Sequence, residues 1–377
     1  DLEEYQIADM NEMEWIGSTS DVHMVVQLDR TPDYTDVDGD WTDTRRFYLI
    51  EDADPNAITT QPVEILGETN QGDPQTLIDF VLWSIENYPA EKYALILSDH
   101  GGAWPGFGWD ETDGHDALTM PELEYALATI QSTSGVTLDI FGMDACLMSQ
   151  LEVTATVAPY ARYAVLAQET EPGFGWSYDA FLGPLVQNPA MSSTELGQLI
   201  VDTYMNFYRT EVDWYDKFDL NVIDLSQVGA VQTALSGFSD VVQANPGNLV
   251  SAIGNARLNA QYFGAATPDE ADSISSIDLI HFMELLQGFS GDAATNEAAQ
   301  AVIDAARGAI VYSQASYETM PGAQGLAVHF PRNQNIYSAI ESNLSYSEHV
   351  PTMTDWDGFL RTFYASAIEA VPVIDAE

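Results

Sequence analysis

Two apolar, β-prone runs with a capped helix between them constrain this chain more than any other feature. Tyr93-Ala94-Leu95-Ile96-Leu97 is the first run and Val136-Thr137-Leu138-Asp139-Ile140-Phe141 the second. Both read as buried strands. Between them Thr119 and Glu122 form a capping box, Pro121 sits in the first turn, and Leu123, Ala126, Leu127 and Ile130 share one helical face. Strand, helix and strand in that order close as a right-handed parallel unit. The two strands are then neighbours, roughly 5 Å apart.

Both runs end in reactive residues. The first leads into Ser98-Asp99-His100-Gly101-Gly102, and the second passes Gly142 to reach Met143-Asp144-Ala145-Cys146. Open α/β sheets bind ligands just beyond the carboxyl ends of their strands. His100 and Cys146 are therefore expected at one edge of the sheet, close enough for a thiol–imidazole pair. Cys146 is the only cysteine in 377 residues, so it forms no internal disulfide. Taken alone, a single cysteine reads as a small buried hydrophobe. Its place after a strand end, opposite a histidine, favours a nucleophile instead.

Composition narrows the function classes. The chain has 59 acidic and 11 basic residues, a net charge of −48. Such a surface repels a phosphate backbone, which argues against a nucleic-acid partner. Aromatic and aliphatic residues are too plentiful for a disordered chain. No run of apolar residues is long enough to span a membrane. The chain opens at Asp1 rather than Met, which reads as a processed start. Together with the acidity, this suggests a secreted protein suited to salty water, while a lone cysteine says nothing firm about the redox compartment.

Further elements follow in order. Residues 1–17 read as an acidic helix, 23–28 and 46–50 as strands, and Asp73-Pro74 as the start of a helix. Residues 101–118 read as a long loop at the active edge, 163–167 as a strand and 168–176 as a second active-edge loop. Residues 192–208 read as helix and 218–224 as strand. Beyond 226 helices dominate, at 226–243, 248–259, 275–288 and 295–312, before a strand at 326–330. The expected architecture is an α/β sandwich with a mostly parallel central sheet. Residues 1–225 would form its core, and residues 226–377 a helix-rich extension packed directly on it.

Several stretches resemble the clostripain family of cysteine peptidases, which belongs to the caspase-like clan alongside gingipains and legumains. They are Asn11-Glu12-Met13, Asp40-Trp41 with Arg45-Arg46, Ser98-Asp99-His100-Gly101-Gly102, Asp144-Ala145-Cys146-Leu147-Met148 and Glu169-Thr170-Glu171-Pro172. They stand in family order over at least residues 1–180. The resemblance implies a caspase-like α/β/α sandwich and an endopeptidase that works as a dyad, with Cys146 the nucleophile and His100 the general acid/base. Gly101 and Cys146 N–H would hold the oxyanion. Asp144 would floor the pocket for the side chain before the scissile bond, so cleavage would follow Arg or Lys. The substrates would be proteins or peptides with basic residues.

Some alternatives stay open at this point. His115 lies near enough in sequence to be the base, and Trp104, Trp109, Phe174 and Trp176 are either pocket walls or ordinary packing. The chemistry requires no cofactor. The acid loop Asp36–Asp43 offers oxygen ligands for Ca2+, an ion with which the family is associated, although it lacks the closing glutamate of an EF-hand. A catalytically silent binding module, a transpeptidase and an asparagine-directed peptidase are the competing functions. The family also has an apolar strand ahead of its Asp-Leu-Glu helix, which is where this sequence begins. Residues 101–145 carry no Lys or Arg, so self-cleavage there is not expected.

The charge balance makes a direct prediction. Self-repulsion opposes compaction, and mobile ions screen it over about 10 Å at 0.1 M salt. The melting temperature is expected to rise between dilute buffer and molar salt, and an unchanged value would refute salt adaptation.

Overall fold

The computed structural model describes residues 2–52, 54, 57–212, 214–265 and 275–369. Asp1 and residues 370–377, which open and close the expected elements, lie outside them. The first half runs α1 (Glu3–Ile16), β1 (Val25–Leu28), β2 (Thr44–Tyr48), β3 (Glu64–Gly67), α2 (Pro74–Asn87) and β4 (Ala94–Ser98). There follow β5 (Phe107–Asp110), β6 (Asp116–Leu118), α3 (Met120–Ser134), β7 (Leu138–Asp144), α4 (Leu151–Val157) and β8 (Ala161–Leu166). Next come α5 (Tyr178–Gln187), α6 (Ser193–Thr210), β9 (Asp219–Asp224), α7 (Val228–Ala244), α8 (Pro246–Asn259) and β10 (Tyr262–Phe263). The chain ends with β11 (Ser276–Asp278), α9 (Leu279–Ser290), α10 (Ala293–Ala309), β12 (Ile310–Ala315), β13 (Ala327–His329), α11 (Gln334–Asn343), α12 (Tyr346–His349) and α13 (Thr354–Glu369).

The central sheet has the order β12-β9-β8-β7-β4. β4, β7 and β8 pair parallel, while β9 runs against both β8 and β12. β12 therefore points the same way as β8, and β9 alone is reversed. The pairings themselves divide evenly between parallel and antiparallel, so the sheet is mixed.

Side-chain alternation builds the two covering layers. Phe141, Met143, Ala164, Leu166 and Ile223 face a core shared with α2, α3, α4 and the later helices. Ile140, Val165, Val222 and Leu220 face the opposite core, shared with α1, α5 and α6. A sheet apolar on both faces needs cover on both, which the helices supply.

The strand–helix–strand unit forms as its residues dictate. Thr119 and Glu122 cap α3 reciprocally, and Gly135 ends it in the left-handed conformation at φ 73°. β4 and β7 then pair with Ser98 opposite Asp144.

The sheet crosses the expected division at residue 225. Residues 295–312, expected as one helix, are helical only to Ala309, and Ile310–Ala315 then joins β9 as β12. The β-branched and aromatic run Ile310-Val311-Tyr312 fits a pleated edge better than a helix. Ser276–Asp278, expected as the start of a helix, is instead the middle strand of a small sheet, β10-β11-β13. The 101–118 loop contains the β5–β6 hairpin.

β4 ends the central sheet on one side, and β1 ends the three-stranded sheet β1-β2-β3. A cavity of about 1130 Å³ lies between them, lined by Val25–Leu28 and by Ala94–Ser98, and reaches as far as Asp99 and His100.

One buried cation organises the acid-rich loop. Arg30 is 1% exposed; its Nε donates to Glu3 Oε1 at 2.7 Å, and its other nitrogens donate to Gly39 O and Thr35 O. Trp41 lies against its guanidinium at 4.7 Å. Removing the cation strands the Glu3 carboxylate in the interior. Arg30→Ala is expected to cost ~3–5 kcal/mol in denaturant unfolding. A loss under about 0.5 kcal/mol, the range of ordinary surface substitutions, would show that this pair does not hold the loop.

Candidate active site

His100 and Cys146 occupy equivalent places. Ser98 pairs with Asp144 across the parallel strands, and each candidate lies two residues further on. Neighbouring strands are ~4.8 Å apart, so both side chains leave the same corner of the sheet. The two loops touch through their backbones. A Cβ on Gly101 would overlap the carbonyl oxygen of Cys146 and come within 3.0 Å of its nitrogen. Only glycine permits that approach.

The segment after His100 folds back on itself. Gly102 N–H donates to Gly106 O at 2.9 Å, Gly108 N–H donates to His100 O at 3.0 Å, and Gly101 bridges to Phe107. Asp99, to which the sequence assigned no role, stands beside the histidine. It accepts from His100 N–H, and burial raises its pKa to about 6 against the lowering influence of that N–H and of the imidazole. Its signal in the sequence was its adjacency to His100.

Cys146 sits on a strained turn. Leu147 has φ 68°, and its N–H donates to Glu169 O at 3.1 Å, while Ser149 N–H donates to Ala167 O at 2.7 Å. The thiol is half-buried. Glu171 N–H donates to the sulfur at 3.3 Å, and the S–H donates to Glu171 O at 3.7 Å. Burial pushes the thiol pKa up and the Glu169 charge adds to this, while the N–H groups of Glu171, Gly101 and Cys146 itself pull it down. Those donors favour the ionised form of the sulfur.

Asp144, the last residue of β7, is 5% exposed. Its Oδ2 accepts from Trp176 N–H at 3.0 Å and from Tyr178 Oη–H at 3.1 Å. Gly175, at φ 55°, lets the loop wrap the carboxylate, since a Cβ there would lie 2.7 Å from Oδ2. Burial raises the Asp144 pKa, and these donors oppose the rise. Further acids that the sequence left without a role surround it. Asp9 on α1 is pushed well above the usual carboxylate range by burial, then by Asp144 and Glu12. Glu12 is raised to about 7, again chiefly by burial, and accepts from Tyr178 N–H at 2.9 Å. Glu171 belongs to the same cluster, its pKa pushed well up by burial and then by the Asp144 charge. Glu12 and Glu171 fall inside quoted motif stretches, but short strings do not reveal that they converge.

The other candidates separate. His115 lies at φ 61° in the exposed turn joining β5 to β6, away from the strand ends. Trp104 is core, with its ring 5.3 Å from His329 and 5.1 Å from Tyr346. Trp109 packs over Gly102. Trp176 is buried and donates its indole N–H to Glu171 Oε2 at 3.2 Å, while Phe174 is exposed.

The acids of the 36–43 loop do not gather among the described residues. Asp43 pairs with Arg45, and Asp38 accepts from Ile58 N–H. The carboxylates that do gather come from three separate segments. Asp29, Glu68 and Asp110 bring ligand oxygens within 4.8 Å of one another. Burial raises Asp29 to about 7; the Thr44 hydroxyl pulls it back, and the charges of Glu68, Asp110 and Asp43 raise it further. Three hard oxygen donors gathered in this way suit a divalent ion of the calcium class.

Known proteins share this architecture. The model of the clostripain family matches residues 1–363. Clostripain of Hathewaya histolytica is 24% identical over 420 residues, spanning 94% of this chain and 76% of that protein. A secreted C11 cysteine protease from Bacteroides thetaiotaomicron, solved with an irreversible peptide inhibitor, superposes with a TM-score of 0.69 at 17% identity, covering 95% of this chain and 96% of that one. An inactive zymogen C11 protease from Parabacteroides distasonis gives a TM-score of 0.63 at 17% identity, over 97% and 94%. The chain belongs to the clostripain family, and the protein is a cysteine endopeptidase.

Proposed function

We propose that Cys146 is the nucleophile and His100 the general acid/base, and that cleavage follows arginine or lysine. The Ser98–Asp144 register is the observation that supports this most, because it sets both side chains at one corner of the sheet. The thiol attacks the scissile carbonyl, and its proton passes to the imidazole. Gly101 and Cys146 N–H receive the oxyanion. The imidazole then protonates the leaving amine, a contribution of roughly 10²–10⁴-fold. Water releases the acyl group from the sulfur.

Asp144 reads the substrate side chain. A carboxylate this buried, ringed by further acids, selects a cation. A bound cation also offsets the negative field that holds the thiol pKa up, so recognition and activation are coupled. The negative surface and the likeness to a secreted C11 protease support a secreted enzyme that degrades proteins carrying basic residues.

Fluorogenic Arg, Lys and Asn peptides test the reading. Cys146→Ala is expected to lose turnover entirely. Asp144→Asn is expected to lose roughly 100-fold or more in kcat/KM on Arg and Lys peptides, as when one partner of a buried charge pair is removed. Cleavage of the Asn peptide, or an Asp144→Asn enzyme that keeps its arginine preference, would reject the assignment of the pocket.

The calcium that the resemblance implies would be held by Asp29, Glu68 and Asp110, where it would neutralise like charges and tie β1, β3 and β5 together. It takes no part in bond making. A chelator is expected to lower the melting temperature, added calcium to restore it, and Asp110→Asn to remove that response. A melting temperature indifferent to chelator would reject the site.

A further inference from the structure

We propose that Glu171 is a second substrate-reading carboxyl: it shares one proton with Asp144 in the free enzyme, and a guanidinium entering the pocket displaces that proton and spans both groups. This rests on the reading of Asp144 as the floor of the pocket.

The geometry makes the case. One residue holds the two carboxyls: Trp176 donates its backbone N–H to Asp144 Oδ2 at 3.0 Å and its indole N–H to Glu171 Oε2 at 3.2 Å. Two carboxylates gathered away from water repel when both are ionised, so one proton stays with the pair. Glu171 Oε2 already accepts from the Trp176 indole, whereas Oε1 is buried with no donor among the described residues. An oxygen in that position is satisfied when it carries the shared proton, or when a cation arrives. The Tyr204 hydroxyl lies in the electrostatic surroundings of Glu171, and it too is buried without a partner. The pocket thus holds two unsatisfied polar atoms beside an acid pair.

Among the described residues the surroundings are mostly acids and tyrosines, and the one cation in reach, Lys217, acts on Glu169. Asp9 and Glu12 come from α1, and Tyr178 from the start of α5. Tyr204 and Tyr208 come from α6, Tyr215 from the segment after it, and Asp219 from β9. Glu169 and Cys146 complete the set. After burial, the strongest influences on Asp144 and Glu171 come from each other and from Trp176, Tyr178, Cys146 and Asp219, with no lysine or arginine among them. The direction of the Glu171 pKa agrees: burial pushes it well above the carboxylate range, and the Asp144 charge adds to that.

Arginine fits this pair better than lysine. A guanidinium presents parallel N–H donors in a plane and spans two carboxylates, while an ammonium acts as a point charge. The displaced proton leaves to solvent. Binding that releases a proton strengthens as pH rises through the titration of the pair.

Calorimetry measures this directly. Acetyl-arginine amide is titrated into Cys146→Ala protein in two buffers of different ionisation enthalpy, with and without Glu171→Gln. Glutamine keeps the size of the side chain, accepts from Trp176 and donates to Asp144, but carries no shared proton. The Cys146→Ala protein is expected to release about one proton per ligand at mildly acidic pH, and the Glu171→Gln version close to none. In the active enzyme Glu171→Gln is expected to raise KM for arginine peptides by roughly 10-fold, with a smaller effect on lysine peptides, and to flatten the pH dependence of KM. Equal proton release with and without the substitution, together with an unchanged pH profile, would overturn the proposal. If Asp144→Asn loses arginine preference in that case, only the role of Glu171 falls. If Asp144→Asn keeps the preference, the underlying reading of the pocket falls with it.

Discussion

The parallel pairing of β4 with β7 is the constraint on which the rest depends. It fixes Ser98 against Asp144, so a histidine and a cysteine 46 positions apart in the chain leave the sheet side by side. The contact between Gly101 and the backbone of Cys146 tightens that arrangement. It also places two N–H donors beside the sulfur. Neither half suffices alone. The strands give direction and spacing, and the glycine removes the one atom that would hold the loops apart.

The second constraint is the cost of gathering acids where water is scarce. Asp9, Glu12, Asp144 and Glu171 lie close together, and burial raises the pKa of each. Four ionised carboxylates in such a place repel, so protons remain or a cation enters. This is a poor arrangement for stability and a good one for recognition. A basic side chain brings the charge that the pocket lacks, whereas a neutral side chain leaves the strain in place. The thiol shares the same field through Glu169. On the proposed reading, a pocket tuned to cations would also hold the thiol back until a basic substrate is bound.

Much of this was legible in the residues, because the signals were local. The capping box at Thr119 and Glu122, the apolar strand runs and the residues at their ends announce the unit that places His100 and Cys146. What stayed hidden depends on contacts between distant segments. β12 reads as the end of a helix because only Gly308 marks the change in the sequence, and a lone glycine is tolerated in a helix; pairing with β9 reveals the strand. The gathering of Asp29, Glu68 and Asp110 joins three segments, while the eye is drawn to the denser acid run at 36–43. Asp9 and Glu171 looked like two more acids in a chain of 59. Their burial, which decides their chemistry, has no local signature.

The later half of the chain is part of the site's framework. Gln150, four residues after Cys146, accepts from Trp104 N–H in the loop after His100 and donates to Ser276 at the start of β11. Ser149 donates to Gly325 O, and Ala327 N–H donates back to Ser149 O. Gln168 donates to Asp278 and accepts from Gly325 N–H, and Glu169 accepts from Gly264 N–H. Both active-edge loops are thus pinned from beyond residue 260, through polar contacts that are mostly buried. Loops at a sheet edge are ordinarily mobile. Here β12 in the central sheet and these hydrogen bonds remove that freedom. The second half stabilises the geometry that the first half creates, and cutting the chain at 225 would leave the sulfur on an unsupported turn.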